Sequence, residues 1–111
     1  MATHTQVTVN VSVVDNAIVC SPDPVDVTSL DSRLRFELPA QGDWVFPAHG
    51  AIVISDPGAQ FPYGCHRVGE RVVLLKDRNT ANGSYKYTVN VRNRVNGQAL
   101  SLDPEIRNEA R

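Results

Sequence analysis

Tyr85, Tyr87, Val89 and Val91 alternate with the polar residues Ser84, Lys86, Thr88, Asn90 and Arg92. A period of two sends successive side chains to opposite faces of a pleated strand. The segment therefore predicts a strand with one buried and one wet face, which suits an antiparallel sheet. The same grammar recurs from Thr5 to Val14, where Val7, Val9, Val11 and Val13 alternate with Thr8, Asn10 and Ser12. It recurs again from Arg33 to Leu38, with Leu34, Phe36 and Leu38 against Arg33, Arg35 and Glu37. Val7, Val9, Val11, Leu34, Phe36, Tyr85, Tyr87, Val89 and Val91 are the expected core.

The remaining segments are shorter. Asp15-Asn16 reads as a turn into a strand over Ala17–Cys20, and Ser21-Pro22-Asp23-Pro24 ends it, because proline lacks a ladder donor. Val25–Val27 suggests an edge segment. Trp44–Phe46 and Ala51–Ile54 are apolar runs split by Pro47 and Gly50, while Phe61–His66, broken by Pro62 and Gly64, reads as loop or bulge. Arg71–Lys76 is a firm strand. Asn82-Gly83 favours a left-handed backbone, and Asn96-Gly97 is a hairpin signal leading to a last strand, Ala99–Leu102. Asp103-Pro104 is expected to stop that strand and leave the charged tail, Glu105 to Arg111, as one helical turn or a frayed end. No stretch of a dozen residues carries a helical period. About seven or eight short strands in a small chain imply a sandwich or barrel. One buried face per strand favours an all-β, antiparallel, two-sheet Greek-key sandwich, spanning residues 1–111 as one domain.

Composition narrows the function classes. Apolar residues make up 41 % of the chain and charged ones 21 %, and the net charge is −1. Such a balance gives the whole molecule no long-range pull on nucleic acid or an anionic membrane. No apolar run approaches the ~20 residues that span a bilayer, and the N-terminus has neither a basic start nor an apolar signal core. A cytoplasmic location is expected, with Cys20 and Cys65 as reduced thiols.

The order Cys20, Trp44, Cys65, with Tyr63 two residues before the second cysteine, resembles immunoglobulin domains, where an inter-sheet disulfide packs on a tryptophan. The topology differs: three candidate strands follow Cys65, where the immunoglobulin pattern has one. Tyr85-x-Tyr87-x-Val89-x-Val91, a short loop, then Leu100-x-Leu102-Asp103-Pro104 resembles the final hairpin of cupredoxin-like sandwiches and of small bacterial sandwich proteins built like them. Copper-binding members hold the metal on histidines, a cysteine and a methionine grouped near the last loop, as a blue-copper site requires. The loop Arg92 to Gln98 contains none of these, so the resemblance implies the fold without copper.

Reactive residue types are sparse. Cys65 and His66 with His49 form the one candidate for nucleophilic or metal chemistry, a cysteine with a histidine base. Neighbours on a strand face opposite ways, however, so Cys65 and His66 converge only across a kink. The aspartates stand singly at turns, where they normally satisfy local backbone donors. Two sets of residues suggest binding instead. Arg33 and Arg35 share the wet face of one strand, and Lys86, Asn90, Arg92 and Arg94 that of another; if the two strands were neighbours, they would form one basic stripe for an acidic partner. Trp44, Phe46, Phe61 and Tyr63 sit among prolines and glycines, as an aromatic recognition patch would. The reading is a non-catalytic interaction module with a protein partner or a second copy, and with no cofactor, metal, nucleic acid or membrane. The alternatives are a small Cys/His-dependent enzyme or metal-binding protein, and a structural subunit that pairs through the uncharged strand Thr5 to Val14.

Overall fold

Asp15 and Asn16 both adopt positive φ, 52° and 60°. Two successive left-handed residues make the turn whose twist matches a two-residue hairpin, and they fold β1 (Gln6–Val14) back onto β2 (Ala17–Ser21), with Val14 opposite Ala17. The computed structural model describes residues 5–109. After β2 come β3 (Val25–Val27), β4 (Ser32–Glu37), β5 (Trp44–Val45), β6 (Ile52–Ile54), β7 (Cys65–Gly69), β8 (Val72–Asp77), β9 (Gly83–Asn93), β10 (Ala99–Leu102) and β11 (Glu105–Asn108). The protein is all-β among the described residues, with two sheets packed face to face.

The first sheet has the order β2-β1-β4-β8-β7, and the second is built around β9. The sequence implied wholly antiparallel sheets. Each sheet is instead mixed, since β1 runs parallel to β4 and β11 parallel to β3. Alternation reports which faces are wet and is blind to strand direction, so this difference was invisible in the pattern. β1, the strand through which a structural subunit would pair, is not an outer strand of its sheet: it lies between β2 and β4.

β9 is long because it has partners along both sides. Its odd-numbered residues bond one flank: Tyr87 N–H donates to Pro104 O at 3.1 Å and Asn93 N–H to Gln98 O at 2.8 Å. Its even-numbered residues bond the other: Asn90 N–H donates to Ala51 O, Arg94 N–H to Asp43 O, and Lys86 O accepts from Ser55 N–H. β10 and β11 therefore lie end to end on one flank in a single register, Leu102 opposite Val89 and Glu105 opposite Lys86. β5 and β6 share the other flank.

Pro104 separates β10 from β11 because it has no N–H to return to Tyr87. Its carbonyl still accepts, so the ladder resumes one residue later. The expected helical or frayed tail is thus a strand as far as Asn108, with Ile106 and Asn108 turned inward. Ala110 and Arg111 lie outside the described residues.

The core fills the space between the sheets. Val9, Val11, Leu34, Phe36, Val73 and Leu75 meet Val25, Val27, Ile52, Tyr87, Val89, Val91 and Ile106, all buried. Of the expected core, Val7 and Tyr85 are only partly buried but still pack against it. Phe36 and Tyr87 meet with ring centroids 5.5 Å apart and planes tilted by 59°. Such tilted aromatic contacts add to the area they bury.

Candidate functional site

Three cross-strand rows cover the middle of the exposed side of the five-stranded sheet. Gln6, Arg33 and Lys76 form the first, Thr8, Arg35, Leu74 and His66 the second, and Asn10, Glu37 and Val72 the third. Arg33 and Lys76 stand directly opposite one another on adjacent strands. Side chains so placed have Cβ atoms about 4.5–5.5 Å apart, and like charges there repel. Arg35 is paired with Glu37 on its own strand. Lys76 Nζ lies 5.5 Å from the ring centroid of Tyr63, which is 71 % exposed and stands in the turn before β7. The result is a face that carries Arg33, Lys76 and His66, with an exposed aromatic ring beside Lys76 and with Glu37, the carboxylate in these rows, engaged by Arg35.

The other sheet's exposed side is compensated. Lys86 faces Glu105 across β9 and β11, and Arg107 faces Asp26 across β11 and β3, with Glu105 Oε1 3.9 Å away. Its polar side chains bond each other. Thr88 Oγ1 donates to Asp103 Oδ1 at 2.7 Å, Ser101 Oγ to Asn90 Oδ1 at 2.5 Å, and Asn90 Nδ2 to Gly50 O at 2.8 Å.

The basic stripe envisaged from sequence does not form, because β4 and β9 belong to different sheets whose wet faces look in opposite directions. Arg92 stays exposed on β9, and Arg94 bonds Glu70 at 3.2 Å. Lys76 stands opposite Arg33 in their place, and His66 lies in the row of Arg35, beyond Leu74. Nothing in the sequence signalled this, since it takes the β4–β8 and β8–β7 pairings to put them there.

The aromatic set divides. Phe46 and Phe61 are buried in the core, Phe61 packing edge-on against Tyr85 at 5.1 Å, and Trp44 is half-buried against the core. Of these four, Tyr63 alone is presented to solvent.

Cys65 is half-buried and packs on the core, while its strand neighbour His66 points out, and His49 is exposed in the loop between β5 and β6. The backbone at Cys65 and His66 is regular, opposite Leu75 and Leu74, and the bulge in β7 comes later, between Arg67 and Gly69. Cys20 and Cys65 are free thiols on opposite edges of one five-stranded sheet. Four strand spacings separate them, roughly 19 Å, far beyond disulfide reach. Burial, with the Asp23 carboxylate adding to it, pushes the Cys20 thiol up to about 11, so it is held as the neutral thiol. Among the described residues no group of three or more His, Cys, Asp or Glu is placed to hold a metal ion, and no helix is long and apolar enough to cross a membrane.

A second polar cluster is internal. Asp77, at the end of β8, is fully buried, and its Oδ1 accepts from Asn79 N–H at 3.0 Å and from Asn108 Nδ2 at 2.8 Å. Asn79 takes a φ of 50°, the left-handed position that the sequence had suggested for Asn82-Gly83. Asparagine tolerates that conformation, and the bend sends its Nδ2 to the carbonyls of Val27 at 3.1 Å, Ser29 at 3.2 Å and Glu109 at 3.3 Å. The cluster ties the β3–β4 turn, the β8–β9 loop and the end of β11 together. Three of its acceptors have no partner: Asp77 Oδ2, Asn79 Oδ1 and Asn108 Oδ1.

The chain matches no protein-family model, and no curated protein matches it with significance.

Proposed function

We propose that this chain is a non-catalytic interaction module that holds an acidic segment of a partner protein on the exposed face of its five-stranded sheet. The observation that carries the reading is Arg33 opposite Lys76. Charged residues on sheets often serve to keep edges from aggregating, but β4 and β8 are interior strands, with β2 and β7 at the edges. Edge protection therefore does not account for them. A like-charge pair costs stability at its own position, whereas an acidic ligand between the two cations turns the repulsion into attraction. Tyr63 beside Lys76 adds an aromatic anchor of the kind that dominates interfaces.

The sandwich itself fits a Greek-key arrangement in the broad immunoglobulin-like or cupredoxin-like sense, supported by a chain that repeatedly crosses from one sheet to the other. Fold carries no function of its own, so the test addresses the face. Fluorescence anisotropy with a labelled oligo-glutamate peptide, at low and at physiological salt, is expected to show salt-sensitive binding. Arg33→Glu with Lys76→Glu should weaken it by roughly tenfold or more, at about 1.4 kcal/mol per tenfold change. Binding that is undiminished in the double variant, or absent from the wild type, rejects the reading.

A further inference from the structure

Several of the sheets' outer edges are blunted. β2 runs into Pro22 and Pro24, β3 is three residues long, and β5 and β6 are parted by the loop through Pro47. β7 carries a bulge and turns Arg67 inward. These are the usual defences against pairing with another chain. An undefended edge lies within the first sheet. β4 follows β1 only as far as Asn10, opposite Glu37, and the chain then leaves at Pro39. From Val11 to Val14, β1 has β2 on one side and, among the described residues, no strand on the other. That stretch contains no charge and no proline.

The direction of the free groups follows from the hairpin. Val14 and Ala17 flank a two-residue turn and bond each other, so even-numbered residues of β1 point to β2 and odd-numbered ones to the β4 side. Arg33 N–H donating to Thr5 O at 2.8 Å agrees. The N–H and C=O of Val13 therefore point into the gap. Beside it lies a notch of about 500 Å³, lined on the β1 side by Asn10, Val11 and Ser12 and elsewhere by residues that include Leu38 and Arg71. Arg71 donates from Nη2 to Gly42 O at 2.9 Å, while its Nε is buried without a partner. Glu37, also at the notch, is engaged by Arg35.

We propose that this notch takes an extended segment of a partner protein, which adds a short strand beside Val11–Val14 and brings a carboxylate to Arg71. An unpaired backbone donor and acceptor on a strand edge are met in full by another extended backbone, with alternate side chains entering the mixed polar and apolar notch. Arg71 lines the notch and makes no ion pair among the described residues, so its charge favours an anionic side chain. The notch borders the basic face along Asn10, Glu37 and Val72 but uses neither Arg33 nor Lys76, so it stands without that reading.

The test uses a fluorescein-labelled peptide of alternating valine and threonine with one central glutamate, titrated with the full chain. The peptide is expected to bind, and methylating alternate backbone nitrogens, which keeps the charge and removes the strand bonds, should weaken it by roughly tenfold or more. Val13→Pro deletes an N–H that no strand uses, a position where proline is tolerated. It should abolish binding and leave the thermal midpoint near that of the wild type. Arg71→Gln should weaken the glutamate peptide and spare its glutamine counterpart. Unlabelled oligo-glutamate, the probe of the basic face, should not displace the peptide. Equal binding of the methylated peptide, displacement by oligo-glutamate, or no binding at millimolar concentration overturns the proposal. So does a wild-type dimer in light scattering that Val13→Pro makes monomeric, because the occupant is then a second copy of this chain.

Discussion

Asn108 Nδ2 donates to Asp77 Oδ1 at 2.8 Å, and through that bond β11 of one sheet is tied to β8 of the other inside the core. Among the described residues no cation pairs with Asp77. Burial pushes its carboxyl up to about 6, with the bonds from Asn108 and Asn79 working the other way. In the unfolded chain the group titrates near 3.8. Below that value both states hold the proton and folding carries no penalty. As pH rises from about 4 to 6 the unfolded chain ionises first, so stability falls, by about 3 kcal/mol for a two-unit shift. Asp77→Asn keeps the accepting Oδ1 and offers an Nδ2 where Oδ2 had no partner. The variant is expected to be at least as stable as the wild type above pH 6 and to lose the fall between pH 4 and 6. Urea unfolding of both proteins across this range checks it; a difference between them that does not change with pH would sink the argument.

Tyr87 presents a sharper choice. Its ring is fully buried against Phe36, but its hydroxyl is buried without a partner. Burial, with Cys20 and Asp23 adding to it, pushes its phenol far above the ordinary range, so it stays neutral. Removing the ring should cost on the order of 3–5 kcal/mol, as for other buried aromatics. Removing only the oxygen should help, because an unmet buried hydroxyl carries a desolvation cost of about 1–3 kcal/mol. Tyr87→Ala is thus expected to destabilise strongly and Tyr87→Phe to stabilise. Denaturant melts of the two variants test this, and a Phe variant well below the wild type would mean that the hydroxyl has a partner.

The two contrasting fates of sequence signals have a common physical origin. Alternation in β1, β4 and β9 named the core residues on those strands, because burial of one face is a property each strand carries by itself. Asp15-Asn16 announced its hairpin for the same reason: the conformation it needs is local. Pairing is not local. The parallel runs β1–β4 and β3–β11, and the meeting of Arg33 with Lys76, depend on which distant segment lies alongside. β11 was missed because Asp103-Pro104 is a genuine stop for a donor ladder, yet the carbonyl of Pro104 carries the register across. Phe46 and Phe61 read as loop aromatics from their proline and glycine neighbours, and the core claimed them. Asp77 read as a turn aspartate, and it does accept from Asn79 two residues on; that it does so fully buried was set by Asn108, 31 residues away.

Cys20 should be chemically quiet. The nucleophile is the thiolate, and a thiol pushed up to about 11 is almost wholly protonated near neutral pH. Alkylation of the folded protein at pH 7.5, followed by mass spectrometry, should leave Cys20 unmodified over a time that labels it fully in urea. Mild oxidant should give no intramolecular bridge to Cys65. Labelling of Cys20 at the unfolded rate, or a bridged monomer, contradicts the placement of the two thiols on opposite sheet edges.

The cross-strand pair of Arg33 and Lys76 predicts opposite signs for stability and binding. Arg33→Glu replaces repulsion with attraction and leaves Lys76 over the Tyr63 ring, so the variant should gain about 0.2–1 kcal/mol. Lys76→Glu makes the same electrostatic exchange but forfeits the contact with Tyr63, worth about 0.5–1 kcal/mol at an exposed site. Its net gain should be near zero. Salt discriminates further: screening relieves repulsion in the wild type and weakens attraction in Arg33→Glu. Adding sodium chloride should therefore narrow the gap between them. Thermal or urea melts at low and high salt read all three outcomes, alongside loss of oligo-glutamate binding in the same Arg33→Glu protein. A variant that loses stability together with binding would place Arg33 in the structural framework of β4 rather than on a recognition surface.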